Sequence, residues 1–198
     1  MDIKYSFFAL ISRMKYITRW SLMRNSTTEN IGEHSHIVAV IAHALAVIRK
    51  DVFGKKIDIG GVVSLAVFHD ASEIFTGDFP TPVKYYDPAI MDAFKKVEAV
   101  ASRKLLTALP SEMRPIYKKI LSPDVTGDVY KLVKAADTLA AYIKCVEEVK
   151  SGNHEFRQAA SECRKKLDLP DIPEVAYFIE KFMPAFELTL DELDFSME

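Results

Sequence analysis

The sequence predicts an all-α fold, a single-domain helical bundle, and three observations carry this. Apolar residues recur at spacings of three and four along most of the chain. No segment alternates apolar and polar residues in the manner of a strand. The length, 198 residues with 49% hydrophobic composition, supplies one substantial core and falls short of two independent ones. The whole chain, residues 1–198, is read as one domain.

A first helix is expected over about Ile3 to Tyr16, with Phe7, Leu10, Ile11 and Met14 on one stripe. A polar connection, Thr18 to Glu33, follows and holds Arg19, Trp20, Arg24 and the cluster Asn25-Ser26-Thr27-Thr28. Connections this long in compact helical domains are functional more often than average. A second helix should run from about His34 to Lys50. Its body, Ile37 to Ile48, is apolar almost all round, the pattern of a central helix buried by neighbours. The third helix is expected from about Ile59 to Phe75, stopped at Gly77. Asp78-Phe79-Pro80-Thr81-Pro82 then excludes helix, because each proline restricts itself and its predecessor.

The fourth helix should span Pro88 to Ala108, and a shorter one should follow Pro110 with Ser111 as N-cap. Ser122 to Gly127 reads as a loop. Asp128 caps a helix ending near Gly152, a further helix holds Phe156 to Leu167, and the last runs from Pro173 to about Met183-Pro184.

Charged residues make up 27% of the chain and the formal net charge is -2. That balance suits neither disorder nor binding of a nucleic acid polymer, and leaves room for a small anionic substrate. Cys145 and Cys163 lack CxxC spacing and read as buried free thiols in a reducing compartment. The N-terminal stretch shows no signal-peptide cleavage pattern and is too short to span a bilayer, so a soluble, cytoplasmic protein with no membrane partner is expected.

The informative feature is a set of polar residues where a core should be apolar. His69-Asp70 interrupts the run Val62 to Phe68, and such a pair is costly to bury without partners. A lone buried histidine is usually a satisfied core residue, but two further positions join this one. His34 lies on one face with Val38, Ile41 and Leu45, and Asp137 falls on the stripe of Val133, Ala140 and Ala141. Three helices thus each offer an inward imidazole or carboxylate, and a divalent cation is the simplest way to satisfy them together. Nitrogen and oxygen donors without thiolate suit Mn, Fe, Co, Ni or Zn and disfavour Ca.

The order His34, then His69-Asp70, then Asp137 resembles the signature of the HD phosphohydrolase superfamily. The bare pattern is weak; longer strings are more specific. Arg19-Trp20-Ser21-Leu22-Met23-Arg24, Thr28-Glu29-Asn30 with Glu33-His34-Ser35, and His69-Asp70-Ala71-Ser72-Glu73 are three of them. Thr76-Gly77-Asp78-Phe79-Pro80-Thr81-Pro82-Val83-Lys84-Tyr85 and Lys134-Ala135-Ala136-Asp137 are the others. Together they resemble the bacterial 5′-deoxynucleotidases of the YfbR type. The resemblance spans nearly the whole chain: it is dense to about Tyr86, returns around Asp137 to Glu148 and Gly152-Asn153, thins between, and is weakest over Leu109 to Val129.

The resemblance implies one divalent metal per chain (Co2+, Mn2+ or similar) on His34, His69, Asp70 and Asp137. It implies a deoxyribonucleoside 5′-monophosphate as substrate and a homodimer as assembly. Glu73 shares the helix face of His69 and Asp70; it reads as a proton-transfer group or as an exposed helix-end acid, and the resemblance favours the former, with Asp70 beside it in the catalytic set. Arg19 would orient the phosphate through its fork. Trp20 would wall the sugar against a 2′-hydroxyl, or anchor its loop. Asp78 would accept from the 3′-hydroxyl, and Phe79, Pro80 and Thr81 would form a rim. His34, Asp70 and Asp137 would also face the substrate.

Lys84 reads either as added charge near the phosphate or as a surface lysine, His36 and His43 as structural residues, and His154 as a surface or helix-start polar residue. The lack of further convergent histidines favours one metal and a monoester. The competing readings are an HD-type hydrolase of a triphosphate or alarmone, and an inactive nucleotide- or metal-binding regulator.

Overall fold

The protein is described by a computed structural model over residues 4–84 and 86–193. Its helices are α1 (Phe7–Ile11), α2 (Ile31–Val47), α3 (Ile59–Phe68), α4 (Glu73–Thr76) and α5 (Thr81–Lys84), followed by α6 (Pro88–Thr107), α7 (Arg114–Leu121), α8 (Asp128–Lys150), α9 (Arg157–Lys166) and α10 (Pro173–Phe182). Among the described residues there is no strand, only an isolated antiparallel bridge between Thr18 and Asn30.

Asn30 launches the central helix. Its side chain accepts from the Glu33 N–H while the Glu33 carboxylate accepts from the Asn30 N–H, a reciprocal capping box. The inner face of α2 meets α3, α8 and α10, and Val38, Ile41, Leu45, Leu65, Leu132, Leu139 and Phe178 form the larger apolar cluster. A second cluster gathers Phe7, Ala71, Leu105, Leu109 and Leu121, with Phe68 and Tyr117 packed on it. The ring centroids of Phe7 and Tyr117 lie 4.9 Å apart, edge to face. The α3 helix and the turn after it feed both clusters, Leu65 and Ala66 into the first and Phe68 and Ala71 into the second. His69-Asp70 falls at the seam.

Several elements differ from expectation. The first helix breaks into α1 and a 3-10 turn, Ser12–Tyr16; its expected start at Ile3 lies outside the described residues. The second begins at Ile31, so His34 sits in its first turn, and it continues through a π turn, Ile48–Val52. Its outer face is open to solvent: Ile37 and Val40 are 42% and 54% exposed. By length and composition Ile31–Val52 could cross a bilayer, but 56% of its most apolar window is buried inside the protein.

The third helix stops at Phe68, and residues 69–72 form tight turns. Despite two prolines, Thr81–Lys84 makes one helical turn, because Pro82 needs no hydrogen bond there and Pro80 O receives the N–H groups of Val83 and Lys84. Met113 precedes α7 in place of Ser111, and Gly127 is the N-cap of α8, with Asp128 its first residue.

One buried ion pair ties helix ends together. Arg49, in the π turn that continues α2, donates from Nε to Glu174 Oε1 at 2.7 Å and from Nη2 to Oε2 at 3.3 Å. Its Nη1 lies 3.3 Å from Asp128 at the N-terminus of α8. Both members of the main pair are buried, so removing one strands the other charge. Glu174→Gln or Arg49→Met should destabilise the protein by about 3–5 kcal/mol in urea unfolding, and the double replacement Arg49→Met with Glu174→Leu should recover most of that loss.

Candidate active site

The turn at the seam aims His69. Its Nδ1 lies 2.7 Å from Ala66 O. A carbonyl only accepts, so Nδ1 carries a proton and Nε2 is the nitrogen turned toward the carboxylates. The turn closes with bonds of 3-10 type, Ala71 N to Phe68 O and Glu73 N to Asp70 O, both at 3.0 Å. The helix break thus places His69, Asp70 and Glu73 together.

His69 Nε2 is 3.0 Å from Asp70 Oδ2 and 3.9 Å from Asp137 Oδ1. His34 Nε2 is 3.0 Å from Asp137 Oδ1 and 3.8 Å from Asp70 Oδ2. The imidazole centroids are 5.4 Å apart. One donor atom each from His34, His69 and Asp70 lies within 4.8 Å of the others, and Asp137 closes the set from α8. Its second oxygen binds the Lys134 ammonium one turn back. The four residues named from sequence are therefore together.

Their environment suits a cation. His34 is fully buried, and His34 Nδ1 and His69 Nε2 have no hydrogen-bond partner. Two enclosed carboxylates and two imidazoles with unmatched nitrogens form a hard-to-intermediate N/O donor set of the kind divalent transition metals take. Burial would raise the Asp70 pKa, but His69 outweighs it and holds Asp70 at about 2. Asp137 is likewise held well below the usual carboxylate range, with Lys134 and His34 overcoming burial. Both carboxylates are in the ligating form.

Glu73 behaves oppositely. Burial, then the charges of Asp70 and Asp78, push it up to about 9, and its Oε2 has no hydrogen-bond partner. The exposed helix-end alternative does not hold.

Two loops flank the cluster. Arg19 Nη1 reaches Asp70 Oδ2 at 3.4 Å. Trp20 has φ +58°, the one positive value among the described non-glycine residues. Its indole donates to Glu29 at 3.0 Å, its ring tilts against Phe156 at 5.3 Å, and its N–H donates to Asp78 Oδ2 at 3.3 Å. The last bond joins the two loops. Gly77, at φ +72° and ψ 169°, makes the bend that presents Asp78, a conformation that favours glycine.

Phe79 stacks on Phe94 of α6 at 4.8 Å, and Pro80 follows, half-buried. Thr81 opens α5, and its side chain lies outside the described residues. Lys84 binds Glu98 at 3.1 Å and sits 4.5 Å from the Phe94 ring centroid, so it is held by α6. His36 and His43 are not the structural core histidines expected but stand on the exposed face of α2, and His154 is exposed after Asn153.

Three features were not assigned from sequence. Glu29, in a polar loop, gives no periodic signal, yet its Oε2 accepts from both Arg19 and Trp20. Lys134 lies on a recognised string but showed no role. Glu148 and Lys144 continue the inward stripe of Asp137 on α8, which is a usable signal. Glu148 is buried and accepts from the N–H groups of Ser26 and Thr27, from Asn153 at 2.8 Å and from Lys144. Asn153 also donates to Arg24 O at 2.7 Å. This cluster pins the loop that carries Arg19 and Trp20.

Comparison with solved structures gives the same architecture. An HD-domain phosphohydrolase from Listeria innocua superposes with a TM-score of 0.81 at 24% identity, over 91% of this chain and 88% of that one. A cyanophage S-2L HD phosphohydrolase, solved bound to dA and one catalytic Zn2+ ion, aligns with a TM-score of 0.58 at 19% identity, over 91% and 96%. The chain therefore has the fold of the HD-domain phosphohydrolases.

Within that class, the family model described as 5′-deoxynucleotidase YfbR-like matches residues 6–186. A 5′-deoxynucleotidase of Photobacterium profundum is 48% identical over 191 residues, 96% of this chain and 98% of the relative. One of Vibrio cholerae is 48% identical over 192 residues, 94% and 97%. The chain belongs to the YfbR-like 5′-deoxynucleotidase family.

The Glu148 anchor gives a pH prediction. Burial raises its pKa, but the Lys144, Asn153 and backbone donors outweigh burial and hold it at about 2, below the ordinary value of 4.5. Its stabilising effect is full above pH 4.5 and is lost as pH falls through about 2. Glu148→Gln should cost about 1–3 kcal/mol at pH 7 by weakening several buried bonds. It should also flatten stability against pH over that acid range, as read by urea unfolding at successive pH values.

Proposed function

We propose that the chain is a metal-dependent 5′-deoxynucleotidase that hydrolyses deoxyribonucleoside 5′-monophosphates to deoxyribonucleoside and orthophosphate. The observation that carries this is the buried convergence of His34, His69, Asp70 and Asp137 with the Arg19 guanidinium alongside Asp70. Membership of the family supports the reaction class.

One divalent cation per chain, Co2+, Mn2+ or similar, would be held by His34, His69, Asp70 and Asp137. When bound it supplies Lewis-acid polarisation of a phosphoryl oxygen and acidification of water. The protein's own residues do the rest. Arg19 forks onto phosphate oxygens and spreads the charge that builds on them. Glu73, buried and one turn beyond Asp70, handles a proton, either from the attacking water or to the departing 5′-oxygen.

Trp20 walls the 2′ position, where an added hydroxyl would clash. Asp78 has one oxygen engaged by the Trp20 N–H and the other available to accept from the 3′-hydroxyl. Phe79, Pro80 and Thr81 form the rim, with Phe79 fixed by its stack on Phe94. His34, Asp70 and Asp137 line the phosphate side.

The remaining assignments concern the protein's setting. The chain acts as a single domain. The unpaired Cys145 and Cys163 support a reducing, cytoplasmic location. The exposed Ile37 and Val40 on α2 support a homodimer, which light scattering would read as twice the chain mass.

Chelation should abolish phosphate release from dAMP, and Co2+ or Mn2+ should restore it. Asp70→Ala should be inactive under every metal; full activity in that variant would remove the metal assignment. Glu73→Ala should retain the metal and lose about 10²–10⁴-fold in kcat. AMP should turn over far more slowly than dAMP, and equal rates would remove the sugar-selective part. Pyrophosphate or tripolyphosphate among the products from longer nucleotides would favour a different ester.

A further inference from the structure

Glu29 stands at the meeting point of three groups that the proposed reaction uses separately. Its side chain is largely buried. Oε2 accepts from Arg19 Nε at 3.1 Å and from the Trp20 indole at 3.0 Å. Oε1 lies 3.6 Å from Nδ1 of His34, a buried nitrogen with no hydrogen-bond partner. At that separation the carboxylate faces the nitrogen without forming a hydrogen bond to it.

The backbone fixes where this carboxylate starts. The Arg19 N–H donates to Glu29 O at 2.9 Å, and the Ile31 N–H donates to Ile17 O at 2.9 Å, on either side of the Thr18–Asn30 bridge. The next residue, Asn30, is the N-cap of α2. Glu29 is therefore in fixed register both with Arg19 across the loop and with His34 in the first turn of the helix.

Each contact has a consequence. With Nε held, the terminal nitrogens of Arg19 are directed to the Asp70 side, where Nη1 is found. With the indole N–H held, the ring of Trp20 stays in one orientation on a backbone that is itself strained. A histidine that gives its Nε2 lone pair to a cation carries its proton on Nδ1, and an acceptor facing Nδ1 selects that tautomer.

We propose that Glu29 is a positioning residue that couples the metal ligand His34, the phosphate clamp Arg19 and the sugar wall Trp20 through one carboxylate. The proposal rests on the phosphohydrolase reading above. A merely structural acid would hold the loop to α2 and affect folding alone; a positioning acid changes metal affinity, indole environment and sugar discrimination in a folded protein.

Trp20 is the single tryptophan of the chain, so its emission reports this site directly. The experiment compares Glu29→Ala and Glu29→Gln with the unaltered full-length chain, with folding checked by far-UV circular dichroism. Three readouts are used: Trp20 emission with acrylamide quenching, cobalt(II) affinity by competition with a chelating dye, and kcat/KM for dAMP against AMP.

In Glu29→Ala the emission should shift to the red and quench more readily. Cobalt affinity should weaken about 10–100-fold, and the preference for dAMP should fall. Glu29→Gln keeps an amide oxygen for the indole and loses the charge facing His34 and Arg19. Its emission should stay near that of the unaltered protein while cobalt affinity still weakens.

Folded variants with unchanged emission and unchanged cobalt affinity would overturn the proposal. If Glu29→Ala does not fold, Glu29→Gln decides, and unchanged cobalt affinity there overturns it. Failure of the unaltered protein to release phosphate from dAMP would instead remove the reaction assigned above. The emission and cobalt readouts would still decide the role of Glu29.

Discussion

Two imidazoles and two carboxylates enclosed at the seam of two apolar clusters are the constraint on which the structure turns. Each group alone would be expensive to bury, and each is made tolerable by the others. Local features follow from this need. The Asn30 capping box starts α2 where His34 can enter the seam. The α3 helix ends at Phe68 so that His69 can give Nδ1 to Ala66 O and turn Nε2 inward. Lys134 balances the outer oxygen of Asp137. The apolar clusters on either side hold the walls apart at the spacing the cluster requires.

Sequence made the cluster legible because burial and polarity disagree there. His69-Asp70 stands in an apolar run, and Asp137 on an apolar stripe. The helix break beside it was hidden, because Ala71 and Ile74 continue the apolar spacing into the second cluster. The exposed outer face of α2 was hidden for a related reason: composition alone cannot tell which side of an apolar helix faces neighbours. The roles of Glu29 and Glu148 depend on contacts closed by the loop and by distant helices. Glu148, for example, meets Ser26 and Thr27 across more than a hundred residues of chain, and no periodicity records such a pairing.

The loops flanking the cluster are as constrained as the helices. The 18–30 segment is bridged at its ends, pinned near its middle by Glu148 and Asn153, and joined to the Gly77-Asp78 bend through the Trp20 N–H. Asp78, half-buried, is thereby an anchor between the two loops. Rigid loops of this kind supply orientation, which for phosphoryl transfer accounts for much of what a protein can contribute.

The left-handed backbone at Trp20 has a consequence for how the chain can change. Holding a bulky residue at φ +58° costs about 1–3 kcal/mol that glycine would largely avoid. At this one position the backbone favours glycine, while the contacts with Glu29 and Phe156 require the indole. The indole is kept at a site where the backbone alone would prefer no side chain at all.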